Sequence, residues 1–127
     1  MNRLLLLLLT AAFATAVSAA SLSPAARAEI DALLSRLEAS SCTFNRNGTW
    51  YPPAEAKSHL LLKLKYLENM GAVQSAEQFI ERAASTSSTT GQPYLVKCGS
   101  SAPVRSGTWL LSELQEVRSS GRAKSAK

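Results

Sequence analysis

The sequence predicts a mainly helical α+β domain: about four helices with a small antiparallel sheet containing a hairpin, closed by one disulfide. Three observations carry that expectation. Apolar residues recur at helical spacing in four separated segments, Asn47-Gly48 sits between two β-prone runs, and the chain holds two cysteines, Cys42 and Cys98, beyond an export signal. Each element follows in order.

The opening MNRLLLLLLTAAFATAVSAA has a cation, Arg3, then a leucine run, then the small residues Val17-Ser18-Ala19. That is the tripartite pattern of a signal peptide. Its apolar core spans about 14 residues, whereas a membrane-spanning helix needs roughly 20. Residues 1–20 are therefore expected to be removed, with cleavage after Ala19 or Ala20 and no stable membrane span left behind. A single globular domain is expected over 21–117 and a basic flexible tail over 118–127.

After cleavage, SPAARAEIDALLSRLEAS reads as a first helix over about 24–39. Ser23 can cap it, Pro24 suits its first position, and Ile30, Leu33, Leu34 and Leu37 form the i, i+3, i+4, i+7 stripe of a core-facing helix. In the run FNRNGTWY, Asn-Gly between β-prone residues predicts a tight hairpin, because both residues tolerate positive φ. Trp50 and Tyr51 are expected to pack inward. Pro52-Pro53 ends the strand and opens a second helix, AEAKSHLLLKLKYLENM, which Gly71 stops. Ala56, Leu60, Leu64 and Leu67 share its core face, while Glu55, His59, Lys63 and Tyr66 share an adjoining arc. Ser75 and Gln78 fit a capping box for a third helix. The hydroxyl-rich stretch STSSTTGQP follows as a loop, then Tyr94–Cys98 as a short strand, giving a sheet of about three strands. Thr108 can cap a last helix carrying Leu110, Leu114 and Val117.

Composition removes several function classes. Without Arg3 the mature chain has 13 cations against 9 acids, a net charge of +4. Arg118, Arg122, Lys124 and Lys127 all lie in the acid-free last ten residues, so the globular part is near neutral and no nucleic-acid partner is expected. Two cysteines and one histidine are too few for a closed zinc site, and no metal or cofactor is expected. The export signal instead favours a Cys42–Cys98 disulfide.

The candidate site residues are those that packing and turn chemistry do not use up. Arg46 is a planar fork able to take a carboxylate or phosphate bidentately; alternatively it pairs with Glu55 or caps a helix C-terminus inside the protein. Glu55 and His59 stand four apart and are helical neighbours, fit for an ion pair, an acid/base pair, or part of an open metal site. Asn47, Lys63, Ser87, Ser88 and Tyr94 complete the set. The Ser/Thr loop lacks both the P-loop spacing and the Gly-x-Ser-x-Gly elbow. The favoured expectation is a non-enzymatic module for a small polar or anionic ligand, a cell-wall fragment, or a partner protein. A small hydrolase or metal-dependent enzyme using Glu55 and His59 is the alternative.

The segments RNGTWY, EAKSHLLLK and AEQFIERAASTSSTTGQPYLVKC together resemble the YfeK-like proteins, small secreted bacterial proteins of unknown function. The resemblance runs from about Leu33 to Leu114. Its pattern includes Arg46-Asn47-Gly48, Glu55, His59, Ser87-Ser88 with Gly91, and Tyr94. It implies a bacterial origin and a periplasmic location, with no established activity to carry over.

Overall fold

Residues 11–13 and 21–125 are described by the structure, a computed structural model. The expected signal peptide and its cleavage point lie outside the described residues, apart from 11–13, as do residues 126–127. The elements run α1 (Pro24–Ala39), β1 (Cys42–Arg46), β2 (Thr49–Tyr51), α2 (Pro53–Asn69), α3 (Ala76–Ala83), β3 (Leu95–Cys98), β4 (Val104–Arg105) and α4 (Ser106–Ser125).

Local chemistry accounts for most of the boundaries. The Ser23 hydroxyl accepts from the Ala26 N–H at 3.1 Å, and Pro24 occupies the first turn of α1. Asn47 and Gly48 have φ of 52° and 86°, the doubly left-handed turn that matches the twist of a two-residue hairpin. Gly71, just past α2, has φ 66°. Ser75 caps α3 through the Gln78 N–H. The Gln78 side chain then accepts from the Gln74 N–H at 2.9 Å, one residue further back than a capping box would place it.

The sheet is antiparallel in the order β2-β1-β3-β4. It has four strands, one more than expected: Val104-Arg105 adds an edge, too short to show a period of two in sequence. Cys42 lies opposite Cys98 and the two are joined as a disulfide. α2 contacts β1 and α4 contacts β3 and β4, while all four helices pack among themselves. The core they enclose takes Ile30, Leu33, Leu34 and Leu37 from α1, Leu60 and Leu64 from α2, Phe79 and Ile80 from α3, and Leu110 and Leu114 from α4. Phe44 and Val96 close it from the sheet.

Three further expectations are corrected. α4 starts at Ser106, not Thr108, because the Ser106 N–H bonds the Tyr94 carbonyl at 2.8 Å. A Cβ on Gly107 would sit 2.8 Å from the Ser85 hydroxyl, so the first turn of α4 lies close against that loop. α4 also continues past residue 117 to Ser125. Arg118, placed in the tail by sequence, bridges three helices by pairing with Glu29 of α1 and Glu77 of α3. Lastly, Trp50 is 41% exposed. It stands opposite Asn45, whereas Tyr51 stands opposite the buried Phe44, so strand alternation sends the two aromatics to different faces.

Candidate functional site

Alternation along β1 explains why Arg46 points where it does. Cys42 and Phe44 are buried, so Arg46, two residues further on, shares their inner face. That face is covered by α2, whose Glu55, His59 and Lys63 recur every fourth residue along one line. Tyr94, immediately before β3, is buried beside them. An arginine from the sheet, a histidine and a lysine from the helix and a phenol from the loop therefore converge.

Their hydrogen bonds can be followed atom by atom. Arg46 Nη1 lies 2.8 Å from His59 Nδ1 and 3.3 Å from Nε2. A guanidinium has no acceptor, so the shorter contact makes Nδ1 the acceptor and leaves the proton on Nε2. Nε2 is 3.3 Å from the Tyr94 phenol oxygen, to which it then donates. Lys63 Nζ donates to the same oxygen at 3.1 Å and to the Thr86 carbonyl at 3.2 Å. The guanidinium also sits 5.3 Å from the Tyr51 ring centroid, and Lys63 Nζ lies 4.9 Å from that of Tyr94. With its oxygen accepting twice, Tyr94 keeps its own O–H to give.

The electrostatics follow from this arrangement. Burial, then the charges of Arg46 and Lys63, hold His59 below its ordinary pKa of 6.5, which agrees with the neutral tautomer deduced from the hydrogen bonds. Burial and Arg46 lower Lys63 in the same way. Burial raises Tyr94, with Arg46 acting in the opposite direction. Among the described residues, no carboxylate lies in ion-pair range of Arg46 or of Lys63. The anticipated Arg46–Glu55 pair is not formed. Glu55 remains exposed, with no ion pair among the described residues. One physical reason is visible: Arg46 reaches α2 a full turn beyond Glu55, at His59.

A cavity of about 400 Å³ opens on this cluster. Arg46, Tyr51, Glu55, His59 and Tyr94 line it together with Phe44, Leu60 and Leu62, so its wall combines apolar surface with charged groups. A second cavity, of about 300 Å³, lies on the other side of His59 and is lined by Lys63, Tyr66, Arg82 and Ser88 among others. Leu60 was read from sequence only as a core-face residue, and Phe44 and Leu62 were given no part in a site. The signal that could have promoted Phe44 is its place two residues before Arg46.

Asn47 and Ser87 do something different. The Asn47 amide donates to Ser87 Oγ at 3.2 Å, and its carbonyl accepts from Thr90 at 2.7 Å. Ser87 is buried and also bonds Thr89. The hairpin tip and the Ser/Thr loop are thereby latched together, and that latch fixes the loop whose Thr86 carbonyl holds Lys63. Ser88 faces the second cavity without joining the cluster. Ser87 is engaged by Asn47 and Thr89, and among the described residues no serine or threonine hydroxyl hydrogen-bonds to His59. No group of three potential metal ligands occurs among the described residues, and no described helix is long and apolar enough to cross a membrane. Chemically, the cluster is an array of donors, two of them cationic, with no acidic counterpart inside it.

Comparison with known proteins is consistent with the sequence resemblance. Residues 24–118 match a family described as "Family of unknown function (DUF5329)". The chain is 47% identical over 68 residues to "Uncharacterized protein YfeK" of Salmonella typhimurium, a match that covers 53% of this chain and 55% of that relative. The matched segment thus spans about half the length of the curated relative. No solved structure matches.

Proposed function

The chain belongs to the DUF5329 family of unknown function, and we propose that it is a non-enzymatic module binding a small anionic ligand at the Arg46–His59–Lys63–Tyr94 cluster. The observation that carries this reading is a half-buried arginine whose polar partner is a neutral imidazole rather than a carboxylate. Cations taken partly out of water are normally compensated by an opposite charge. Here burial and the charge of Arg46 lower both His59 and Lys63, and an anion in the cavity would relieve that repulsion. The remaining guanidinium N–H groups and the Tyr94 O–H supply charge-assisted and neutral donors for it. A carboxylate or phosphate attached to an apolar body suits the cavity better than a bare ion, because Phe44, Leu60 and Leu62 line it. We also propose export through the N-terminal segment, so that the ligand is met in the periplasm.

The test is an NMR titration of isotope-labelled protein with inorganic phosphate and with 3-phenylpropanoate. Saturable shifts at Arg46, His59 and Tyr94 are expected with 3-phenylpropanoate, and their loss in Arg46→Ala. The absence of saturable shifts with both probes removes the reading.

A further inference from the structure

The first cavity is lined by two opposite charges, not one. Arg46 stands on one side of it without a carboxylate, and Glu55 lines it without a cation. Glu55 precedes His59 by four residues, about 6 Å along the helix axis at 1.5 Å per residue. The guanidinium is anchored at His59, with Nη1 2.8 Å from Nδ1. The two charges are therefore offset by about one helical turn across a shared space and do not pair directly. Phe44, Leu60 and Tyr51 line the same cavity and offer apolar surface and no further charge.

Deepening the anion-binding reading and resting on it, we infer that the cavity takes a zwitterion: an apolar α-amino acid, its carboxylate on Arg46 and its ammonium on Glu55. The ammonium and carboxylate of an α-amino acid are carried on the same carbon, so one small molecule presents both charges to a cavity lined by Arg46 and Glu55. The side chain then lies over Phe44 and Leu60. Tyr94 donates its O–H to the carboxylate, which explains why that oxygen already accepts from both His59 and Lys63. Glu55 is exposed and makes no ion pair among the described residues. An acid in the first turn does favour the helix dipole, but that benefit needs neither an unpaired arginine nor a cavity.

The experiment compares three ligands of one shape: phenylalanine, in both D and L forms, 3-phenylpropanoate, which lacks the ammonium, and phenethylamine, which lacks the carboxylate. Affinities are read by NMR titration of the full mature chain. An ion pair at an exposed carboxylate is screened by water, so phenylalanine in at least one form should bind about three-fold or more tighter than 3-phenylpropanoate. Glu55→Gln should bring that ratio close to unity by weakening phenylalanine, while 3-phenylpropanoate binds no more weakly than to the wild type. Arg46→Gln should abolish both. Equal affinity for phenylalanine and 3-phenylpropanoate in the wild type overturns the zwitterion and leaves the anion reading standing. Binding of phenethylamine alone, or of none of the three, overturns both. Glu55→Gln with its preference for phenylalanine intact also overturns the zwitterion.

Discussion

Arg46→Ala separates a ligand-binding arginine from a structural one, and its cost follows from the contacts. The substitution removes a hydrogen bond to the neutral His59 ring and a cation–π contact with Tyr51. The first contributes up to about 1.5 kcal/mol in a half-buried setting and the second about 0.5–1 kcal/mol. Against these, the variant relieves the repulsion that Arg46 exerts on His59 and Lys63. The net loss should be about 1–2 kcal/mol at most, read from urea unfolding at neutral pH. Were Arg46 the partner of a buried carboxylate, removing it would cost about 3–5 kcal/mol. A second reading is independent of stability. The chain has one histidine, so its ring protons titrate as an isolated signal. Because Arg46 is one of the causes that lower His59, the midpoint should rise in Arg46→Ala, while burial keeps it below 6.5. A stability loss above 3 kcal/mol, or a His59 midpoint that stays put or falls, refutes the electrostatic account of the cluster.

Other perturbations follow from the same structure. His59 is depressed in the folded state, so below 6.5 the unfolded chain binds more protons and stability falls with acidification until the folded midpoint is passed. Urea midpoints measured from pH 7.5 down to 4.5 should show this decline, and it should flatten in His59→Gln. The disulfide joins residues 56 apart in sequence, for which the chain-entropy relation gives about 4 kcal/mol. Cys42→Ala with Cys98→Ala should approach that loss in equilibrium unfolding, and a loss under 1 kcal/mol would contradict it. Arg118→Ala breaks two bridges at an exposed site. It should cost about 1 kcal/mol or less, with the difference from wild type shrinking in 1 M salt.

How much of this was legible beforehand depends on whether the controlling physics is local. Helix α1 was, in both limits and stripe, because Ser23, Pro24 and the spacing of Ile30, Leu33, Leu34 and Leu37 act within a few residues of one another. The hairpin was, since Asn47-Gly48 carries its backbone conformation with it. The Cys42–Cys98 pairing followed from counting. The start of α4 was not, because Ser106 is held by a carbonyl twelve residues away, at Tyr94. Nor was the extent of α4, since Arg118 draws its partners from α1 and α3.

The site divides the same way. Sequence alone nominated Arg46, Glu55, His59, Lys63 and Tyr94, as polar groups that packing left over, and it placed Glu55, His59 and Lys63 on one line of a helix. It could not say whether Arg46 pairs with Glu55 or with another group. That choice depends on where along α2 the end of β1 arrives. The sheet register and the helix docking set that meeting point at His59, one turn past the carboxylate. Pairing within a strand or helix is written in nearest-neighbour chemistry, whereas pairing between them is decided by how two surfaces pack.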